Sequence, residues 1–445
     1  MRFKDAIVAY ITMIDDGMEK IMKNFVFDID YVREQFPAMS KTVNGNSAAF
    51  LDGPGGTQVP KRVVDKVNDY LYYHNANSGG SFVTSEESDA MFADAHEVFA
   101  DFFGCSADEV AFGENTTTIN FKMAMALLRD MKPGDEVIIT DIDHEGNRSP
   151  WRTLEDFGIV VKSVKINTDT ITLDFDDYME KLSDKTKVVA VNWAANSCGT
   201  ITDVKKVIDA AHKMGAITVV DAVHYAPHKP IDVKAIGTDI LLCSAYKFFG
   251  PHIGVMYIKK EVGTKVKALR VMAYDNHDTP HKFETGTPAM EMTQGAVGAV
   301  EFIADIGARH LEFFEEDVKT LNGRRKNIVA GMLAIDKYEE ALAVQMRTEL
   351  AKIPGLKIYG PGEGHPRTST VSFRIEGHNS GDIGRYLGDR GLFVWDGDYY
   401  AIETIRNVLK LAETGGLVRI GLAPYNIQSE IDRVIQAVID FSKLK

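Results

Sequence analysis

Between about residues 105 and 260 the chain switches repeatedly from a short apolar run to a helical stretch, and this alternation constrains the fold more than any other feature. The runs are Val110 to Phe112, Glu136 to Thr140, Ile159 to Val164, Val188 to Asn192, Ile217 to Val220, Ile240 to Cys243 and Val255 to Ile258. Short runs of β-branched and apolar residues read as strands covered on both faces. Several βα units in succession mean an α/β fold, a mostly parallel sheet with helices on both sides. In such a sheet the carboxyl ends of the strands line the ligand crevice, so the polar residues just beyond each run are the candidates for chemistry.

Five strand ends carry such residues. Asp221 closes one run, and Ser244-Ala245-Tyr246-Lys247 follows another. After Gly113 comes Glu114-Asn115-Thr116-Thr117-Thr118 and a helical stretch from Ile119 to Arg129. Hydroxyls and free N–H groups at a helix N-terminus suit a phosphate dianion, which makes Thr116 and Thr117 candidates. His144 follows the run ending at Thr140 and offers a flat ring for stacking, while Asn196, beyond Asn192, offers a donor to a phenolate or carboxylate. Taken singly, each is an ordinary cap, turn or loop residue. Together they answer what pyridoxal phosphate requires: a phosphate cradle, a stacking ring, a donor to the ring oxygen, an acid for the pyridine nitrogen and a lysine for the aldehyde.

Charge and cysteine content narrow the alternatives. A formal net charge of −14 argues against nucleic acid or anionic lipid as the main partner and favours a small molecule. Cys105, Cys198 and Cys243 form no CxxC pair, which suggests neither a disulfide framework nor a cysteine zinc site and fits a reducing cytoplasm. His224 and His228, and His277 and His281, have i,i+4 spacing, but Pro227 and Pro280 break the helix that would align them, so no metal is expected. Gly53-Pro54-Gly55-Gly56 lacks the spacing of a dinucleotide loop.

At 445 residues the chain is expected to form a large and a small domain. The N-terminal Ile7, Ile11, Ile14, Met18, Ile21 and Phe25 describe an amphipathic helix, and Asp15 and Asp16 interrupt any apolar h-region, so no signal peptide is expected. The expected division is a helical segment over 1–45 packing on the small domain or a dimer partner, a large domain over 46–300, and an α+β domain over 301–445. The last has long helical patterns through Leu350, strands near Val371 to Ile375 and Leu417 to Leu422, and a helix from Ser429.

The motifs Asp221-Ala222-Val223-His224, Ser244-Ala245-Tyr246-Lys247 and Phe283-Glu284-Thr285-Gly286-Thr287-Pro288 resemble the class V aminotransferase group of fold-type I enzymes. That group includes cysteine desulfurases, selenocysteine lyases and isopenicillin N epimerase, and the resemblance runs from about Phe27 to the C-terminus. It implies a seven-stranded, mostly parallel sheet in the large domain. By position, Lys247 resembles the Schiff-base lysine, Asp221 the pyridinium partner and His144 the stacking ring. Thr117, Ser244 and Tyr246 resemble phosphate ligands, and Thr287 resembles the one given by the other subunit of a homodimer. His224 stands where desulfurases usually carry glutamine beside the cofactor oxygen. Arg419 resembles the arginine that grips the substrate α-carboxylate, a task suited to its forked donors.

One departure limits the resemblance. Desulfurases take sulfur on a loop cysteine upstream of that arginine, because a thiolate is the attacking nucleophile. Here the stretch reads Val394-Trp395-Asp396-Gly397-Asp398-Tyr399-Tyr400-Ala401, without cysteine and with an aromatic wall. Cys198, two residues from Asn196, reads as a small buried filler. The expected activity is carbon–sulfur β-elimination from a cysteine-like amino acid. Transamination and epimerisation or racemisation are the alternatives within the family. A cofactor-bearing protein that only binds is the alternative outside it, and the joint presence of Lys247, Asp221, His144 and Arg419 speaks against that reading.

Overall fold

The structure, a computed structural model, describes residues 25–362 and 364–444. The amphipathic helix expected over residues 7 to 25 lies outside the described residues, apart from Phe25. Seven strands form the main sheet: β1 (Val110–Gly113), β2 (Glu136–Thr140), β3 (Val160–Val164), β4 (Thr186–Asn192), β5 (Ile217–Asp221), β6 (Ile240–Ser244) and β7 (Gly254–Ile258). Their order is β1-β7-β6-β5-β4-β2-β3, and only β7 runs against the rest. The mostly parallel seven-stranded sheet expected of a fold-type I enzyme is therefore present.

Alternate residues of each strand serve opposite faces, as the pleat requires. Val189, Val191, Val220, Leu241 and Val255 pack into one core, against helices α1 (Val83–Phe103), α3 (Val204–Lys213), α4 (Met290–His310) and α5 (Gly323–Leu350). Val188, Ala190, Val219, Leu242 and Met256 face the other way, onto α2 (Thr116–Leu128) and Trp151. Helices α4 and α5 approach so closely that a Cβ on Gly307 would overlap the Asn327 carbonyl, and one on Gly331 the Ile303 carbonyl. Only glycine fits at such a crossing.

A second, antiparallel sheet combines β8 (Leu356–Tyr359), β9 (Thr370–Ile375), β10 (Trp395–Gly397) and β11 (Leu417–Gly421) in the order β8-β9-β11-β10. Val371, Phe373, Val418 and Ile420 pack beneath α6 (Gln428–Phe441), and the alternate residues Thr370, Ser372 and Arg419 face the large sheet. The partition differs from the one expected at residue 300. That position falls inside α4, and α5 serves both cores, with Ile328 to Ile335 in the first and Leu342 to Leu350 in the second. A helix whose buried face runs on through Glu339 need not stop where a core does. Two further stretches depart from the expected division. Ala49 and Leu51 belong to the small core, while the described part of the N-terminal segment packs on the large one. The Phe27 ring stacks on His310 and Tyr338 at 5.1 and 4.3 Å.

Candidate active site

A cavity of ≈ 850 Å³ opens where the carboxyl ends of the parallel strands meet the small sheet. Thr116, Thr117, His144, Asn196, Asp221, His224, Ser244, Tyr246, Lys247 and Arg419 all line it. Thr287 does not; it lines a second cavity, with His96 and His281.

The floor is built by three consecutive strand positions in the sheet. Helix α2 begins at Thr116 rather than Ile119, because Asn115 caps it by accepting the Thr118 N–H at 2.9 Å. That leaves Thr116 and Thr117 in the first turn. The Thr116 N–H donates to Ser244 Oγ at 3.0 Å, and the two hydroxyls lie 2.7 Å apart. Between β1 and β6 runs β7, whose first residue, Gly254, pairs with Gly113 on one side and Ser244 on the other. A Cβ there would come within 2.7 Å of the Asn115 carbonyl carbon and of Ile119.

Asp221 is buried at the end of β5 with one hydrogen bond, from the Val223 N–H to Oδ1 at 2.9 Å. Its other oxygen has no partner among the described residues. Burial pushes its pKa up to about 6, against the opposing pull of that N–H and of Lys247. Lys247 donates to the Pro54 carbonyl. Its pKa falls to about 7, chiefly because burial disfavours the cation and secondarily through Arg419, with Asp52 and Asp221 opposing. His144 accepts the Gly146 N–H on Nδ1 at 2.9 Å, which leaves the proton of the neutral ring on Nε2. Burial, then Lys247 and Arg419, lowers its pKa to about 4. Tyr400 lies beside it, ring centroids 5.7 Å apart.

Arg419 projects from β11, its Nη1 donating to Asn196 O at 3.1 Å and its Nη2 to Asp52 Oδ1 at 3.0 Å. Its Nε–H is buried without a hydrogen-bond acceptor. A guanidinium in a cavity wall is suited to a carboxylate ligand. Asn196 spends an amide N–H on Tyr399 O at 2.9 Å, and Glu145 N–H donates to Tyr400 O at 2.8 Å. Asn196 thus anchors the loop that carries the aromatic wall, and its Oδ1 is left without a partner. His224 turns Nε2 toward Thr370 Oγ1 and Thr368 Oγ1, at 3.0 and 3.1 Å, on the approach to β9.

The aminotransferase class-V family profile matches residues 49–322 and 327–434, which span this cavity and both sheets. The chain belongs to the aminotransferase class-V family. These are enzymes that depend on pyridoxal phosphate and act on amino acids. An aminotransferase-like protein of Gibberella zeae is 30% identical over 441 residues, covering 94% of this chain and 99% of its own. A cysteine desulfurase of Haloferax volcanii is 27% identical over 447 residues, covering 94% and 98%. Among solved structures, a cysteine desulfurase of Thermococcus onnurineus superposes with a TM-score of 0.80 at 24% identity, covering 95% of this chain and 100% of its own. One from Escherichia coli gives 0.77 at 23% identity, covering 94% and 99%.

The residues present fit the family's cofactor. Paired hydroxyls at a helix N-terminus face the same cavity as a lysine held partly neutral, and a buried carboxylate there keeps an unspent oxygen. Asp52 and Arg406 also border or line the cavity and escaped the reading of the sequence, and Pro54 lines it although its loop was read only as lacking dinucleotide spacing. Asp52 had a signal: it ends the apolar run Ala49-Phe50-Leu51, as Asp221 ends its own. None of the three cysteines lines the cavity. Cys198 is buried among Ile142, Tyr359 and Tyr399, with Thr200 Oγ1 3.2 Å from its sulfur.

Proposed function

We propose that this cavity holds pyridoxal phosphate on Lys247 and that the enzyme removes a sulfur substituent from Cβ of a cysteine-like amino acid. The observation that carries the reading is the convergence of Lys247, Asp221 and Arg419 on one cavity. Thr116, Thr117, Ser244 and Tyr246 would hold the phosphate, Asp221 the pyridine nitrogen, and His144 and His224 the ring and its oxygen. When bound, the cofactor supplies an electron sink for the pair released at Cα.

Arg419 fixes the substrate α-carboxylate, which orients the Cα–H bond toward Lys247. The Lys247 amine, whose neutral form burial favours, accepts the Cα proton, an assistance of about 10²- to 10⁴-fold in rate. Trp395 and Tyr400 bound the space for the side chain. In the net reaction the Cα–H and Cβ–S bonds break, water is consumed, and pyruvate, ammonia and a thiol or sulfide leave. Release of free thiol is favoured by the lack of a cysteine at the cavity, since no enzyme thiolate is placed to take the sulfur as a persulfide.

A panel of amino acids and cysteine conjugates should yield pyruvate and thiol in equal amounts. A panel that gives neither, while alanine converts the cofactor to its amine form, overturns elimination. Transamination is the second reading, supported by the aminotransferase-like relative. Thr287 is assigned to a partner's phosphate site in a homodimer, so dilution to monomer should release cofactor. A reducing cytoplasm is the proposed setting. Among the described residues no helix is long and apolar enough to cross a membrane.

A further inference from the structure

The second cavity, ≈ 820 Å³ and separate from the one above, gathers residues far apart in the sequence. His96 from α1 and His281 and Glu284 from the 281–288 stretch bring one ligand atom each to within 4.8 Å of one another. Among the described residues this is the one group of three or more His, Cys, Asp or Glu side chains so placed. We propose that these three side chains bind a divalent transition-metal ion such as Zn²⁺.

The argument rests on His96. Its Nδ1 lies 2.8 Å from the Phe92 carbonyl, an acceptor, so that nitrogen carries a proton. Nε2 of the neutral ring then presents a lone pair, and it faces Glu284 Oε1 at 2.8 Å. A lone pair opposed to a carboxylate oxygen calls for a cation: a proton shared along the 2.8 Å line, or a metal ion bound by both atoms once they part to about 3.3 Å, the edge of a tetrahedral zinc shell. The Phe92 carbonyl is the kind of outer partner that fixes the tautomer and orientation of a metal-bound histidine. Glu284 is itself oriented by the Phe112 N–H at 2.9 Å on Oε1, and its Oε2 meets His281 Nδ1 at 3.0 Å. His96 and Glu284 are buried and rigidly set, whereas His281 is half exposed at the cavity wall. Asp89, Glu97 and Asp108 also line this cavity and no lysine or arginine does, although Asp108 is paired with Lys260 at 2.6 Å. Two histidines, one carboxylate and open space for water make a common zinc coordination set, with an ionic radius and softness that suit imidazole nitrogen.

The test uses the full-length, cofactor-loaded protein stripped of metal by a chelator and then titrated with Zn²⁺ alone. One equivalent should bind, and Co²⁺ in its place should give visible d–d absorption of a nitrogen–oxygen site. His281→Gln should weaken Zn²⁺ binding by at least about 10- to 100-fold, the loss seen when a mere outer partner is removed. Because His281 is half exposed, its variant keeps the fold, which an unchanged melting temperature without metal would verify. His281→Cys should restore binding and shift the Co²⁺ spectrum toward thiolate ligation. Absence of stoichiometric Zn²⁺ binding, or equal binding by wild type and His281→Gln, would overturn the proposal and leave only the His96–Glu284 hydrogen bond.

Discussion

Arg419 and Asp52 form an ion pair at the junction of the two sheets, Nη2 lying 3.0 Å from Oδ1. The arginine is buried, and Gly55 makes room for the aspartate, since a Cβ there would collide with its carboxylate. Burial raises the Asp52 pKa, with Arg419 and Lys247 acting in the opposite direction. The group expected to grip a substrate carboxylate is thus already held by a carboxylate of its own chain.

Asp52→Ala leaves the guanidinium buried without its counter-ion, a change that costs about 3–5 kcal/mol where pairs are fully buried. Denaturant unfolding should show a loss at the lower end of that range, because the Asp52 side chain keeps 23% exposure. A carboxylate ligand can replace the missing partner. Amino acid added to the variant should therefore raise its melting temperature more than it raises that of the wild type.

Lys247→Ala removes both the proposed covalent anchor of the cofactor and the proposed base. Borohydride treatment followed by peptide mass spectrometry should mark Lys247 in the wild type and nothing at this position in the variant. Turnover should fall by at least about 10²-fold. Retained turnover would displace Lys247 from the mechanism.

The pH dependence of stability follows from the same lysine. Its folded pKa, about 7, lies below the unfolded value of 10.5, so between these limits the unfolded chain binds more protons. Stability of the cofactor-free protein should therefore rise across that window. Below about pH 7 the full cost of the buried cation remains. Comparing wild type with Lys247→Met by urea unfolding from pH 6 to pH 10.5 isolates this contribution, and parallel curves would refute it. His144, with a pKa near 4, stays neutral throughout.

Tyr399 and Tyr400 both adopt left-handed backbone conformations, each with φ of 57°. For a residue with a Cβ this costs roughly 1–2 kcal/mol. Tyr400→Gly should relieve that cost and raise the melting temperature slightly. It should also raise KM for amino acids with aromatic or bulky side chains more than for alanine. Equal effects on all substrates would mean that the ring does not bound the side-chain space.

The strand-end logic made most of the cavity legible. Lys247, Asp221, His144 and Thr116 each follow an apolar run, and a parallel sheet sends all such ends to one rim. What stayed hidden depends on contacts between distant segments. Nothing near Arg419 announces Asp52, which is 367 residues away, and Asn196 could not be seen to support Tyr399. The expected boundary at residue 300 falls inside α4, and α5 packs on both cores with the buried Glu339 between its two apolar stretches, a continuity that no local break in the sequence announces. His96 and Glu284, 188 residues apart, share no local signature at all.

Gly254 touches no ligand and carries no functional group, yet the rim depends on it. As the start of the one reversed strand it lies between the threonine end of α2 and Ser244, and its bare Cα lets the helix settle against the sheet. The affinity of the rim for the proposed phosphate would therefore be set partly by an empty volume the size of a methyl group. A single added carbon at this residue would act as a wedge, loosening retention of that proposed ligand while every polar side chain in the chain kept its identity.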